Sequence, residues 1–137
     1  MRIEPYLFFE GRCEEAIEFY RRAVGAQVGM MLRWKDRPDP SNDRNPTPPG
    51  GENKIMHARF QIGGAGVMAS DGRCTGSPNF QGFAISLNAA NEAEAARLFN
   101  GFSEGGQIRM PLGRTFFARS FGMVTDRFGV SWMIAVM

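Results

Sequence analysis

The sequence predicts an α+β fold made of two tandem βαβββ modules, and three observations predict it. First, the order strand, helix, strand, strand, strand can be read twice along the 137 residues. Second, the halves match in residues. Gly25-Ala26-Gln27-Val28-Gly29-Met30 returns as Gly105-Gly106-Gln107-Ile108-Arg109-Met110, and Glu14, Ala16 and Phe19 meet Glu94, Ala96 and Phe99 at the same offset. Third, one such module has a single helix over one side of a small sheet, too little to bury a core alone. Placed side by side, the modules would form a curved eight-stranded mixed sheet, with helices on the convex side and a cleft on the concave side. The first module is expected over 1–71, the second over 80–137, and the two together count as one domain.

The elements follow in order. Ile3 to Phe9 is rich in β-formers, with Pro5 marking an edge or irregular strand. Cys13, Ala16, Ile17, Tyr20 and Val24 recur at helical spacing, with Glu14, Glu15, Glu18, Arg21 and Arg22 on the other face. Acids come early and arginines late, as the helix dipole prefers, and Gly25 ends the helix. Val28 to Trp34 reads as a strand. Residues 35–53 hold Pro38, Pro40, Pro46, Pro48, Pro49, Gly50 and Gly51 and read as a mobile surface loop. Lys54 to Ile62 alternates Met56, Ala58, Phe60 and Ile62 against His57, Arg59 and Gln61. Gly63-Gly64 turns into a short strand, Gly66 to Asp71. In the second half, Phe80 to Asn88 is a strand, and Asn91 caps a helix striped by Ala95, Leu98, Phe99 and Phe102. Gly105-Gly106 ends that helix. Ile108–Leu112, Phe116–Thr125 (broken near Ser120) and Val130–Val136 complete the set, with a turn at Asp126-Arg127-Phe128-Gly129.

Composition narrows the function. A hydrophobic fraction of 43% suits a soluble globular protein, and no apolar run is long enough to span a membrane. The N-terminus shows no signal-peptide pattern, so the expected location is cytoplasmic. A net charge of +2 with interspersed signs gives no footprint for nucleic acid. Cys13 and Cys74 form no CxxC pair and read as reduced thiols. Cys13 opens a helix, where the dipole would lower its pKa, although packing is its main expected role.

Three stretches then carry a family resemblance. They are Pro5-Tyr6-Leu7-Phe8-Phe9 with Cys13 to Tyr20; Lys54-Ile55-Met56-His57-Ala58-Arg59 with Met68-Ala69-Ser70-Asp71; and Phe121-Gly122-Met123 through Asp126-Arg127-Phe128-Gly129 to Trp132-Met133. On these the chain resembles the vicinal-oxygen-chelate superfamily (glyoxalase I, bleomycin-resistance proteins, extradiol dioxygenases), and within it the PhnB-like branch, often labelled demethylubiquinone methyltransferase-like. No glycine-rich nucleotide-binding turn supports methyl transfer. The resemblance implies metal ligands on four strands, usually His, Gln or Glu. Carried over, those positions fall on or near Pro5, Ala69, Ala84 and Met133, none of which can ligate a hard divalent cation. No metal and no other cofactor is therefore expected. The resemblance also implies a homodimer.

What remains is the cleft. Strand alternation is expected to send Pro5, Leu7, Ala69, Ala84, Ser86 and Met133 into it, and Tyr6, Phe8, Met68, Phe83, Ile85, Leu87, Trp132 and Ile134 toward the helices. The expected ligand-binding lining is Trp34, His57, Arg59, Gln61, Ser86, Phe117, Arg119 and Met133. Arg59 or Arg119 would hold an anion, and the aromatic and methionine side chains would suit a flat or greasy ligand. His57 and Asp71 are the catalytic candidates, set against a solvated strand face for His57 and a turn-initiating role for Asp71. The resulting expectation is a metal-free protein binding a small apolar or aromatic molecule. The alternatives are a superfamily enzyme (lyase, transferase or dioxygenase type) with non-standard catalytic residues, and a dimer that serves only as a scaffold or partner-binding module.

Overall fold

The computed structural model describes residues 1–38 and 44–137; Pro40 and the rest of 39–43 in the expected loop lie outside the described residues. Eleven elements run in the order β1 (Tyr6–Phe8), α1 (Cys13–Val24), β2 (Gln27–Arg33), a 3₁₀ turn (Trp34–Asp36), β3 (Ile55–Ile62), β4 (Ala65–Ser70), β5 (Ile85–Asn88), α2 (Glu92–Ser103), β6 (Gln107–Gly113), β7 (Ser120–Thr125) and β8 (Ser131–Val136). This is the α+β order read from the sequence. The strands form two four-stranded mixed sheets of identical design, β1-β4-β3-β2 and β5-β8-β7-β6. In each, the first strand pairs in parallel with the last and the remaining neighbours are antiparallel. The chain divides into two compact units, one of residues 1–21 with 25–78 and the other of 22–24 with 79–137. No helix among the described residues is long and apolar enough to cross a membrane.

In the first unit, α1 ends at Gly25, whose left-handed backbone (φ 72°) lets its N–H bond the Tyr20 carbonyl. At its other end, Arg12 supplies no side-chain cap. The cap comes from far along the chain: Asp71 Oδ1 accepts the Cys13 N–H at 2.7 Å, and Oδ2 accepts the Ile55 N–H at 2.7 Å. One buried carboxylate thus joins the start of α1, the start of β3 and the end of β4. The Asp71 carbonyl also accepts from Cys74 N at 2.9 Å, closing the expected turn.

The face that α1 covers is fixed by Tyr20, which stacks on Phe60 at 5.5 Å and meets Phe9 at 6.3 Å. Ala58, Ala69 and Leu7 stand in register on that same face and are wholly or almost wholly buried. Tyr6, Met68, Arg59 and Met30 form the matching row on the opposite face, with Phe8 beside them and half exposed. The expected phase of β1 and β4 is therefore inverted: Leu7 and Ala69 face the helix, while Tyr6, Phe8 and Met68 face away. Tyr-Leu-Phe-Phe has no polar residue to mark its phase, so period-two reading had nothing to anchor it. Ala58, Phe60 and Ala69 thus lie on the helix side, and Tyr6, Phe8 and Met68 take the open side.

In the second unit the expected phase of β8 holds. Trp132 and Ile134 are fully buried, and Phe102 of α2 stacks on Trp132 at 4.2 Å. Asn91 caps α2 by accepting the Glu94 N–H at 2.9 Å. On the other face, Ser86, Met133, Met123 and Met110 stand in one row across all four strands. Met123 and Met133 pack there on Ala118, Phe121 and Ala135. Two strands are shorter than expected. β5 begins only at Ile85, because Gly82 has a left-handed backbone and β8 offers no partner before Ser131. β7 begins at Ser120, because Thr115 and Ala118 first close a turn through their backbone and the threonine hydroxyl.

The Cys13 thiol departs from the dipole argument. Burial first, then the negative charges of Asp71 and Glu14, push its pKa up. Cys74 is only partly buried and is also pushed up, chiefly by burial and Asp71. A thiol reagent near neutral pH is therefore expected to label Cys74 slowly, faster as pH rises, and to leave Cys13 until the protein unfolds; mass spectrometry of labelled peptides reads this directly. Replacing Asp71 with Ala strips two buried N–H groups of a charged acceptor, and a loss of about 3 kcal/mol in chemical denaturation is expected.

Candidate functional site

The open face of the first unit carries a cavity of about 190 Å³, lined by Tyr6, Phe8, Glu10, Trp34, Asn45, Met56, Ser70, Gly72 and Arg73. Each lining group comes from a definite element. β1 supplies Tyr6 and Phe8, whose rings lie 5.0 Å apart. β3 supplies Met56, and the end of β4 supplies Ser70. The 3₁₀ turn supplies Trp34, which is 3% exposed and whose Nε1 has no hydrogen-bond partner among the described residues. The guanidinium carbons of Arg37 and Arg73 sit 5.1 and 5.9 Å from the centre of its ring, within cation–π range. Part of the Pro-rich stretch is held against this site: Arg37 bonds the Asn45 carbonyl and Thr47 Oγ1, and Arg73 bonds Asn45 Oδ1 and the Pro46 carbonyl.

The Asp71 turn shapes one wall. Gly72 has φ +55°, which favours glycine, and a Cβ there would fall 2.0 Å from Glu10 Oε2, so a larger residue would displace the Glu10 side chain. Glu10 Oε1 in turn accepts the backbone N–H groups of Arg73 and Thr75, each at 3.3 Å.

Beside the cavity, Tyr6 Oη lies 2.9 Å from His57 Nδ1, and the two rings are 5.5 Å apart. Burial pushes the Tyr6 phenol up, while a side-chain hydrogen bond with Ser70 pulls it the other way. Tyr6 and His57 thus form a hydrogen-bonded pair on the open face, with Ser70 Oγ accepting from the Gly72 N–H nearby. Further along the same face, Arg59 forks onto Glu4 at 2.5 and 2.6 Å. That bond, with the charges of Arg2 and Arg59, holds the Glu4 carboxyl below the usual range.

Of the residues expected to line a cleft, Trp34 is in this cavity. His57, Arg59 and Gln61 stand beside one another on β3, Gln61 exposed and Arg59 already paired. Ser86 and Met133 are direct cross-strand neighbours on the open face of the second unit. Phe117 and Arg119 line a different cavity of about 220 Å³ with Arg114, Thr115, Phe116, Ala118 and Met137. That cavity is walled by surface groups: Phe116 is fully exposed, and the Arg119 side chain is 61% exposed and 3.7 Å from Glu92. Asp71 lines neither cavity and is 1% exposed, its oxygens committed to backbone donors. Sequence reasoning missed Glu10, Asn45, Met56, Ser70, Gly72 and Arg73, and it sent Tyr6 and Phe8 to the helix side.

The metal positions implied by the resemblance give no donor set for a hard divalent cation. Pro5 and Ala84 have no ligating atom, Ala69 is wholly buried on the helix side, and Met133 offers only a thioether. Among the described residues, no three His, Cys, Asp or Glu side chains are grouped so as to hold a metal ion.

Comparison with known proteins places this geometry. The family model described as 3-demethylubiquinone-9 3-methyltransferase matches residues 1–135. Protein YjdN of Escherichia coli (strain K12) is 36% identical over 141 residues, covering 100% of this chain and 96% of that one. The crystal structure of protein PA1353 from Pseudomonas aeruginosa is similar at 44% identity and a TM-score of 0.80, covering 99% of this chain and 97% of that one. A putative 3-demethylubiquinone-9 3-methyltransferase, PhnB protein, from Bacillus cereus is 27% identical with a TM-score of 0.76 over 100% of both chains. At 20% identity, a glyoxalase-related enzyme from Fulvimarina pelagi shares the fold, with a TM-score of 0.59 over 100% of this chain and 88% of that one. The chain belongs to the family of that matching model, a description that the PhnB protein of Bacillus cereus also carries.

Proposed function

We propose that this chain is a metal-free, glyoxalase/bleomycin-resistance-like protein that binds a small apolar or aromatic molecule. The observation that carries the reading is the first-unit cavity, where Tyr6, Phe8, Trp34 and Met56 converge beside the polar groups of Glu10, Asn45, Ser70 and Arg73. Binding pockets are commonly built this way, with apolar and aromatic walls and a few placed polar atoms. Its volume of about 190 Å³ suits a single ring rather than a drug-sized molecule. The absence of hard donors at Pro5, Ala69, Ala84 and Met133 supports binding without a metal.

The same reading includes a cytoplasmic homodimer. The two free cysteines are in keeping with a reducing compartment. The outer strands β2 and β6 expose Val28, Met30, Leu32, Ile108 and Met110, which supports burial against a second copy. A metal-free enzyme is the second reading, and the Tyr6–His57 hydrogen bond favours it, because a phenol and an imidazole in contact can move a proton together.

Ligand-observed NMR with a library of single-ring compounds tests the first reading. Hits are expected for the wild type and are expected to vanish in Trp34→Ala and Phe8→Ala. A library without hits, or hits indifferent to both changes, would overturn it. The enzyme reading expects turnover of a bound compound with a bell-shaped pH profile that His57→Ala removes. Tight binding with no turnover across that pH range would decide against it.

A further inference from the structure

We infer that the first-unit cavity takes a small aromatic acid, its ring held among Tyr6, Phe8 and Met56 and its acidic oxygens received by the indole N–H of Trp34 and the guanidinium of Arg73. This rests on the proposed binding reading and deepens it from an aromatic ligand to an anionic one.

Two independent observations point there. Trp34 is 97% buried, since only 3% of it is exposed, yet its Nε1 has no acceptor among the described residues. An indole can only donate, so an acceptor must come from outside the described residues if this buried group is to be satisfied. Aromatic and aliphatic groups of the lining cannot provide it. Glu10 is the carboxylate of the lining, and its Oε1 already faces the N–H groups of Arg73 and Thr75. The second observation is charge. Arg73 lines the cavity, and its guanidinium bonds only neutral oxygens, Asn45 Oδ1 and the Pro46 carbonyl; among the described residues no carboxylate pairs with it. It lies over the Trp34 ring, so the unmet donor and the unpaired cation are neighbours. Arg59 and Arg119 do not offer this: Arg59 is forked onto Glu4 outside the lining, and Arg119 is a surface group in the other unit.

A carboxylate is the simplest oxyanion that satisfies both groups while its ring fills the apolar part. Charge-assisted bonds are stronger than neutral ones, so the acid should be preferred over an uncharged compound of the same shape.

The test titrates the full chain with benzoate, benzamide and ethylbenzene by ligand-observed NMR, at constant salt and near neutral pH. The expected order is benzoate, then benzamide, then ethylbenzene, with benzoate roughly tenfold or more ahead of ethylbenzene. Arg73→Gln is expected to collapse the gap between benzoate and benzamide. Trp34→Phe, which keeps a ring and removes the donor, is expected to shrink the gap between benzamide and ethylbenzene. Circular dichroism checks that each variant is folded; if Trp34→Phe is not, Arg73→Gln decides alone. Equal binding of all three by the wild type overturns the acid inference and leaves the apolar reading standing. No binding of any of them removes both. A benzoate preference untouched by the variants also overturns the inference, because the anion is then held elsewhere.

Discussion

The Asp71 carboxylate is the constraint from which the first unit's working surface follows. It is buried, and its oxygens take the first N–H of α1 and the first N–H of β3. An acid removed from water is stable only with such partners, and these two donors would otherwise be orphans. The residues on either side of it are cavity residues: Ser70 before, Gly72 and Arg73 after. Fixing Asp71 therefore fixes where the Ser70 hydroxyl meets Tyr6 and where Arg73 reaches the Trp34 ring. Gly72 completes this geometry by leaving room for Glu10, which holds the backbone of the same turn. A residue suspected of acid–base chemistry thus contributes to the site by placing its neighbours.

The covering of one face of each sheet by a helix produces the rest. Under α1 the sheet presents Ala58 and Ala69, so Tyr20 can stack directly on Phe60. In the second unit Gly122 plays the same part, since a Cβ there would fall 2.8 Å from the Phe99 ring. Tyr6, Phe8 and Met68 in one unit, and Met110, Met123 and Met133 in the other, lie on the face without a helix. These open apolar faces arise from the same packing solution used twice, as expected of a duplicated unit.

Much of this was legible in the sequence, and the failures have physical causes. Element order, the Gly25 and Asn91 caps and the Trp132 face could be read because each rests on local chemistry: left-handed glycine, a short polar cap, strict alternation. β1 could not be phased, because an all-apolar tetrapeptide alternates nothing. The site was harder to see. Trp34 was found from its type alone, but Arg73, Ser70 and Glu10 belong to it through the Asp71 turn, a contact 58 positions long in the case of Cys13. Asp71 looked like a turn residue and is one; its second role depends on tertiary contacts that no spacing announces. The Cys13 thiol was misjudged in direction because burial, invisible in sequence, outweighs a helix dipole.

The contrast between the first unit's two prominent arginines shows how partner chemistry, more than residue type, assigns an anion site. Arg59 is as conspicuous in the sequence as any cation, on a polar stripe with His57 and Gln61. Its fork is occupied by Glu4, whose carboxyl is held below its ordinary range and so stays charged through neutral pH. For an incoming acid to use Arg59, it must displace a bidentate partner of equal charge and leave Glu4 unpaired beside it, so the exchange gains little. Arg73 bonds a side-chain amide oxygen and a backbone carbonyl instead. Among the described residues no carboxylate pairs with its guanidinium, so an arriving oxyanion adds a charge interaction without dismantling another. With the unmet Trp34 donor beside it, the gain from binding the proposed acid is concentrated at one corner of a cavity whose apolar walls are Tyr6, Phe8 and Met56. A ligand placed there has its orientation set at that corner and its ring selected by the walls.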